Sequence, residues 1–305
     1  NKIMIRTEGL TKVFRVGFWG RKVTALSYLN LQVNEKEIFG FLGPNGAGKT
    51  TTLKLLMGLI YPTSGRAWLM GRELTNAAVK KDIGFLPEAP YFYDYLTAHE
   101  FLRFYGGLFE IEKSLLKGRI ERLLEMVGLS DNRGLPLGKF SKGMLQRIGI
   151  AQALINDPRL VILDEPMSGL DPIGRREIRD IILKLKNEGK TVFFSSHILS
   201  DAEMICDRVG ILNRGKLINV GRLDEILDAG LKYIEVIAEG IGAEVASKID
   251  KGVMTAGDRI IMRLGNEQQV DEVIELISRM NGKVISIIPQ RESLEDYFIK
   301  EVGTN

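Results

Sequence analysis

Residues 43 to 50 read Gly-Pro-Asn-Gly-Ala-Gly-Lys-Thr, which is the spacing of a phosphate-binding loop. The apolar segment before it, residues 38 to 42, is predicted to be a buried strand, and residues 50 to 57 after it an amphipathic helix. Phosphates bound here would lie at a helix N-terminus, where backbone N–H groups point at an anion. Because the glycine spacing, the Lys-Thr pair and the strand-to-helix order agree, we favour a nucleotide site over a purely structural glycine turn.

Two side chains of this loop have the chemistry for a nucleotide with its metal. Lys49 would place a positive charge on the β- and γ-phosphates, and the Thr50 hydroxyl is a ligand for the Mg²⁺ that accompanies them. The residues expected to contact the nucleotide are Gly43, Pro44, Asn45, Gly46, Ala47, Gly48, Lys49, Thr50 and Thr51.

Two adjacent acids follow the apolar segment 160 to 163, which is predicted to be a strand of the same sheet. Asp164 suits a role in holding Mg²⁺, directly or through water, and Glu165 suits a general base that polarises the attacking water. Taken alone, the pair is equally consistent with a strand that ends in a solvated turn. The phosphate loop upstream favours the catalytic interpretation.

The composition limits the function classes. The 305 residues carry 42 basic and 39 acidic side chains, a net charge of +3, which gives no general case for binding nucleic acid. No run of about 18 apolar residues occurs, so we do not expect this chain to cross a membrane itself. The single cysteine, Cys206, excludes an internal disulfide, fits a reducing compartment and is expected to be a small buried residue.

The apolar pattern predicts an α/β chain with three parts before residue 224 and a smaller domain after it. Alternation near the N-terminus predicts an antiparallel edge sheet, three- and four-residue spacing in residues 101 to 127 predicts a helical insertion, and β-rich runs that alternate with helices predict a parallel core sheet. The predicted strands outside the phosphate loop are residues 4 to 14, 29 to 33, 67 to 70, 160 to 163, 191 to 195 and 208 to 212, with helices at 172 to 187 and after His197.

Residues 225 to 305 are predicted to be a small α+β accessory domain with split β-α-β character. Its expected strands are residues 233 to 238, 259 to 264 and 284 to 288, and its expected helices are residues 243 to 249 and 270 to 280.

Three further motifs follow the phosphate loop in order: Phe-Ser-Lys-Gly-Met-Leu-Gln at residues 140 to 146, Ser-Gly-Leu-Asp at 168 to 171 and Ser-Ser-His at 195 to 197. With them, residues 3 to about 220 resemble the ATPase subunit of ABC transporters. The resemblance implies a P-loop NTPase fold with a parallel core sheet, an antiparallel β edge subdomain and a helical signature subdomain. The corresponding motifs are Walker A at residues 43 to 50, Walker B at 160 to 165, the signature at Ser141 and Gly143, the D-loop at 168 to 171 and the switch histidine at His197.

The resemblance also implies that two copies associate head to tail, with each ATP between the Walker A loop of one and the signature of the other. Ser141 would then hydrogen-bond the γ-phosphate, and the helix that starts near Gly143 would direct its positive end at the same group. Asp171 would reach across the interface, and His197 would contact the γ-phosphate rather than being an ordinary surface histidine. His99 has no comparable support.

The chain departs from the family pattern at two places. Lys142 and Met144 stand where the signature has glycine and usually glutamine, so Lys142 either assists ATP binding or faces solvent. Glu88 stands where the family has glutamine, and we expect it to meet Mg²⁺ and to make nucleotide engagement more dependent on the metal. Phe14 is the best candidate to stack on adenine, with Phe18 and Trp19 nearby, although an ordinary strand position remains the alternative.

Aromatic residues cluster directly after Glu88. In the family this segment meets the transmembrane partner, and we expect Tyr91, Tyr93 and Tyr95 to be accessible and Phe101 and Phe104 to lie in the core. The ending at residues 291 to 298 resembles ATPase subunits of bacterial efflux systems whose membrane domains are separate chains.

The leading interpretation is therefore a peripheral ATPase on the cytoplasmic face of the membrane, partnered by an integral-membrane subunit and a second copy of itself. Two alternatives remain: a soluble ABC-type ATPase that acts on nucleic acid or ribosomes, and a nucleotide-binding regulator without useful turnover. The first usually carries two ATPase domains or a long coiled coil, and neither is visible here. The complete set of Lys49, Asp164, Glu165 and His197 speaks against the second.

Overall fold

The computed structural model describes residues 2–17, 20–74, 76–227, 231–242 and 253–302. It divides into two compact units, Asn1–Leu223 and Asp224–Asn305. Phe18 and Trp19, the additional aromatic candidates, and the predicted helix at residues 243 to 249 lie outside the described residues.

The first unit contains an antiparallel sheet with the strand order β2-β1-β4-β5 and a larger sheet with the order β10-β9-β3-β8-β7-β6. Their strands are β1 (Ile3–Val16), β2 (Arg21–Asn34), β3 (Ile38–Leu42), β4 (Ser64–Leu69), β5 (Arg72–Glu73), β6 (Ile83–Leu86), β7 (Leu160–Leu163), β8 (Thr191–Ser196), β9 (Arg208–Asn213) and β10 (Lys216–Arg222).

The larger sheet is parallel from β9 to β6, and only β10 pairs antiparallel, with β9. All residues of β3, β7 and β8 are buried, as expected for parallel strands covered on both faces. Their carboxyl ends therefore meet at one edge, which is where the phosphate loop and the Asp164-Glu165 pair begin. The predictions of a parallel core and an antiparallel edge sheet are confirmed, whereas β10 was not predicted.

The helices of the first unit begin at recognisable sequence signals. Thr97 and Glu100 form a capping box at one helix, and Pro172 occupies the first turn of another. The helices are α1 (Lys49–Leu56), α2 (Ala98–Leu108), α3 (Lys113–Met126), α4 (Lys142–Ala153), α5 (Pro172–Asn187) and α6 (Leu199–Ile205), and α7 (Leu223–Ile226) spans the boundary between the units. The predicted helical insertion corresponds to α2 and α3, and α5 has its predicted bounds.

The second unit is a four-stranded antiparallel sheet with the order β12-β13-β11-β14. Its elements are β11 (Leu231–Glu239), β12 (Met254–Ala256), β13 (Arg259–Leu264), α8 (Glu267–Arg279), β14 (Lys283–Arg291) and α9 (Leu294–Val302). β11 lies between β13 and β14, which α8 connects, so the predicted split β-α-β arrangement is confirmed for this half of the domain. Val236, Met262 and Val273 are among the residues of its core. β12 and α9 were not predicted.

Candidate functional site

Two positions of the phosphate loop must be glycine, because backbone carbonyl groups of other strands lie too close for a side chain. A Cβ on Gly43, at φ 155°, would stand 2.1 Å from the Leu212 carbonyl oxygen, and one on Gly48, at φ 107°, would stand 2.3 Å from the Ala25 carbonyl oxygen. Gly48 is also the N-cap of α1, and no side chain caps this helix. The first N–H groups of α1 are thus left for an anion, which is the arrangement that binds phosphate.

The Lys49 ammonium group is buried at the base of this loop. It donates to the carbonyl oxygens of Gly43 at 2.6 Å and Pro44 at 3.1 Å, and it lies 3.1 Å from Glu165 Oε1. The cation therefore has a carboxylate counter-ion in the nucleotide-free chain. A phosphate that binds Lys49 must compete with Glu165 for it.

Glu165 links Lys49 to the predicted switch histidine. Its Oε2 lies 2.8 Å from His197 Nδ1 and accepts the His197 backbone N–H at 3.3 Å. Glu165 has a φ of 50°, a left-handed conformation that is rare for a residue with a side chain. Ser195 Oγ accepts the Glu165 N–H at 2.9 Å and helps to hold this conformation, which directs the carboxylate between Lys49 and His197.

Asp164 lies beside Thr50, as expected for a shared metal site. Its Oδ1 accepts hydrogen bonds from Ser195 Oγ at 2.6 Å and from Thr50 Oγ1 at 3.2 Å. Burial raises the pKa of Asp164, the two hydroxyl donors oppose this shift, and the charges of Glu88 and Glu165 add to it. A cation bound beside Asp164 would offset the negative charges of Glu88 and Glu165.

Ser195 is the functional residue that sequence reasoning missed. Its hydroxyl is fully buried and connects Asp164 Oδ1 with the Glu165 N–H. The signal was present, since a polar residue closes the apolar run of β8 at the carboxyl edge of the sheet. Ser195 also opens the Ser-Ser-His motif, in which only His197 has a predicted role.

The donor set fits a metal that arrives with its nucleotide. Among the described residues, no group of three or more His, Cys, Asp or Glu side chains is arranged to hold a metal ion. Mg²⁺ is usually held by one or two carboxylates, hydroxyls, phosphates and water, so Thr50 and Asp164 with the exposed Glu88 nearby suit it.

Ser141 and Asp171 stand at helix N-termini rather than at the Lys49 cluster. Ser141 Oγ accepts the Met144 N–H at 3.3 Å as the cap of α4, and Asp171 Oδ1 accepts the Gly174 N–H at 2.9 Å as the cap of α5. Gly143 has open space where a Cβ would be. Among the described residues, neither capping side chain has a hydrogen bond to the Lys49 cluster.

Lys142 contacts the D-loop segment of its own chain. A Cβ on Gly169 would meet Lys142 Nζ at 2.1 Å, so the ammonium group lies over this glycine. ATP contact and solvent exposure were the two alternatives for Lys142, and the structure adds a contact with Gly169 of the same chain.

Phe14 is exposed on β1, and the Lys12 ammonium lies 5.0 Å from the centroid of its ring. The residue is thus accessible for stacking and is not packed in the core. Thr51 is half-buried in the first turn of α1. His99 is half-buried and only its backbone N–H has a described bond, to the Arg133 carbonyl oxygen.

The aromatic cluster after Glu88 is partly different from its prediction. Phe101 is buried and Tyr91 and Tyr95 are exposed, as expected, but Phe104 is 43% exposed rather than in the core. Its ring packs edge-on against Tyr93, whose own ring is half-buried. The residues of α2 that its packing against α3 and α4 buries are Ala98, Phe101, Leu102 and Gly106, and Phe104 is not among them. A groove of about 460 Å³ is lined by Tyr93, Tyr95, Leu96, Glu100, Arg103 and Phe104.

Cys206 is half-buried as a residue, but its thiol is enclosed. A Cβ on Gly40 would meet the Cys206 Sγ at 2.7 Å, and burial raises the pKa of this thiol well above its usual value. The thiol is therefore an inert packing group.

The parallel sheet with a phosphate loop at its carboxyl edge, a buried lysine and a carboxylate-histidine pair define a P-loop nucleotide hydrolase. Residues 26–168 match the family model described as "ABC transporter". The chain is 47% identical over 302 residues to an uncharacterized ABC transporter ATP-binding protein of Nostoc sp. strain PCC 7120, covering 98% of this chain and 90% of the relative.

Two other relatives support the same grouping. The bacitracin transport ATP-binding protein BcrA of Bacillus licheniformis is 38% identical over 307 residues, covering 98% of this chain and 97% of the relative. The dimeric ATP-binding cassette MJ0796, in a post-hydrolysis state bound to ADP and Pi, superposes with a TM-score of 0.66 at 26% identity, over 72% of this chain and 99% of that one. The chain therefore belongs to the ABC transporter family, as an ATP-binding subunit with ATPase activity. No helix in the part of the chain that the structure describes is long and apolar enough to cross a membrane.

Proposed function

We propose that this chain is the ATP-hydrolysing subunit of an ABC exporter, which dimerises around two ATP molecules and drives a separate transmembrane subunit. The observation that carries the proposal is the buried Lys49-Glu165-His197 cluster at the carboxyl edge of the core sheet. It combines a phosphate-binding cation, a carboxylate base and an imidazole in contact with that base.

The residues of one chain divide between phosphate binding, metal binding and proton transfer. Residues 43 to 51 bind the phosphates, Lys49 through its ammonium group and the start of α1 through its free backbone N–H groups. Thr50, Asp164 and Glu88 would hold Mg²⁺, whose positive charge would offset the negative charge of the phosphates. Glu165 accepts the proton of the attacking water, and His197 orients the Glu165 carboxylate and donates to the γ-phosphate.

A second copy completes each site. Ser141 and Gly143, at the N-terminus of α4, would face the γ-phosphate of ATP held by the other copy, and Asp171 would lie at the shared interface. Phe14 would stack on adenine. The absence of a described contact between these side chains and Lys49 within one chain is consistent with an arrangement in trans.

The exposed aromatic groove is the proposed contact for the membrane subunit. Rings with polar tips such as Tyr93 and Tyr95 around a concave surface suit an amphipathic helix. The protein would accordingly be peripheral, on the cytoplasmic face of the membrane. Residues 1 to 224 would form the ATPase domain, and residues 225 to 305 a domain that supports regulation or dimerisation.

The names of two relatives indicate which cargo to test first. One is the bacitracin transport protein of Bacillus licheniformis, and the other is a lantibiotic transport ATP-binding protein of Streptococcus pyogenes that is 42% identical over 215 residues, covering 70% of this chain and 89% of the relative. The rival, an ATPase that acts on nucleic acid or ribosomes, has no specific observation in its favour.

The deciding experiment is co-purification of tagged Glu165→Gln protein from native membranes with Mg-ATP. Loss of a general base typically costs about a hundredfold to ten-thousandfold in rate, so this variant should trap the ATP-bound dimer. Lys49→Ala is the matched control, since it removes the phosphate-binding cation and should prevent trapping.

Recovery of a multi-spanning protein in a two-to-two complex with Glu165→Gln, and its loss with Lys49→Ala, would support the exporter. Recovery of ribosomes or nucleic acid without a membrane protein would favour the rival. Hydrolysis at the parent rate by Glu165→Gln would refute the role of Glu165.

A further inference from the structure

Asp201 is a buried acid in the first turn of α6, four residues after His197. Its Oδ1 pairs with the Arg179 guanidinium of α5. Its Oδ2 is also buried but has no hydrogen-bond donor among the described residues. An unsatisfied buried carboxylate oxygen is costly, so a nearby donor should have a second position that satisfies it.

Arg175 is that donor, and it already holds the D-loop segment, residues 168 to 171. Its Nη1 lies 4.0 Å from Asp201 Oδ2, beyond hydrogen-bond reach, while its Nε donates to the Leu170 carbonyl oxygen at 3.1 Å. The planar guanidinium thus faces the loop with one nitrogen and the free oxygen of Asp201 with another.

Asp201 is connected to the catalytic carboxylate by a short and constrained segment. Ser196 Oγ accepts the Ile198 N–H at 2.9 Å and donates to the Ile198 carbonyl oxygen at 3.3 Å, which fixes the chain on either side of His197. His197 Nδ1 lies 2.8 Å from Glu165 Oε2. A displacement of α6 at Asp201 is therefore passed on to the imidazole that faces Glu165.

We propose that Arg175 and Asp201 are positioning residues that couple residues 168 to 171 to His197. The inference rests on the proposed function, in which a second copy presses on this loop. Movement of the Leu170 carbonyl group turns the guanidinium of Arg175, closes its contact with Asp201 Oδ2 and sets the imidazole against Glu165. Dimer formation thereby changes the position of His197 against the general base Glu165 through α6, and not through the nucleotide alone.

The test is a double-mutant cycle on ATP turnover with the full chain. Arg175→Met and Asp201→Asn should each lower kcat by about tenfold, with KM and fluorescent-nucleotide affinity changed less than about twofold, because the phosphate loop is untouched. Since both act on one link, the double variant should be no slower than the slower single variant.

Arg176→Met is the matched control. It removes an exposed arginine of the same helix, whose described ion pair is with Asp180 of α5 itself. It should leave the kcat within about twofold of the parent.

Multiplicative losses in the double variant, or an equal fall in kcat for Arg176→Met, would overturn the coupling. If Arg175→Met does not fold, Arg175→Lys replaces it, because one ammonium group cannot bind Leu170 and Asp201 as the guanidinium fork does. The kcat of Arg175→Lys should fall, and a kcat equal to that of the parent would contradict the proposal. If the turnover of the parent protein does not rise with dimer formation, the proposed function is refuted. If the parent turnover does rise but the two substitutions lower kcat independently of each other, only the coupling is refuted.

Discussion

The Lys49–Glu165 ion pair predicts that removing the acid will weaken the nucleotide-free protein and strengthen ATP binding. In Glu165→Gln the buried ammonium keeps its bonds to the Gly43 and Pro44 carbonyl groups but loses the carboxylate 3.1 Å away. Loss of one partner of a buried pair costs about 3–5 kcal/mol. Because two carbonyl groups and the new amide still accept from Lys49, we expect about 1–3 kcal/mol less unfolding free energy.

The same carboxylate opposes the nucleotide. Unit charges about 4 Å apart interact by about 4 kcal/mol at an effective dielectric constant of 20, and desolvation offsets much of this. If about 1–3 kcal/mol remains, Glu165→Gln should bind ATP roughly 5- to 150-fold more tightly, since the γ-phosphate no longer competes for Lys49 or faces Glu165.

Urea unfolding without nucleotide and titration with fluorescent ATP measure the two effects separately. Glu188→Gln, which neutralises an exposed acid after the end of α5, controls for the change in net charge and should alter neither quantity. Equal unfolding free energy and equal ATP affinity in Glu165→Gln and the parent would refute the reasoning that Glu165 and phosphate compete for Lys49.

Three further predictions follow from single sites. Gly43→Ala should lower the unfolding free energy by about 1–3 kcal/mol and abolish ATP binding, because its Cβ would collide with the Leu212 carbonyl oxygen; urea unfolding and nucleotide titration check this. Burial raises the pKa of Asp164, so the native state binds more protons than the unfolded state between the usual and the raised pKa. The contribution of Asp164 to stability therefore falls as pH rises through that window, and Asp164→Asn should remove this contribution from the pH dependence of the unfolding free energy. The enclosed Cys206 thiol, whose pKa is raised by burial, should resist a thiol reagent at pH 8 until urea unfolds the protein, and rapid native labelling would contradict this.

Local patterns determined much of the fold. The bounds of β3 and α5 could be read directly, because a short apolar run between charged and glycine residues, or an Asp-Pro start followed by helical spacing, is a local signal. Strand β10 escaped prediction because its half-buried positions, Leu217, Asn219 and Gly221, are not all apolar, so they give no alternating apolar pattern. The exposure of Phe104 could not be predicted, since an aromatic residue at helical spacing is the same whether its face is covered or not.

The sequence by itself determined the chemistry available, namely a phosphate loop, adjacent acids and a histidine in the order of an ABC ATPase. Only the tertiary structure decided how these groups pair. Thr50 and Asp164 are 114 positions apart in the chain and Glu165 and His197 are 32 apart, yet each pair is in hydrogen-bond contact because β3, β7 and β8 end at one edge of a parallel sheet. Residue types and local spacing are properties of the sequence. The bonds that join Ser195 to Asp164 and Glu165, and the lack of a hydrogen bond to Asp201 Oδ2 among the described residues, arise only when distant strands and helices pack together.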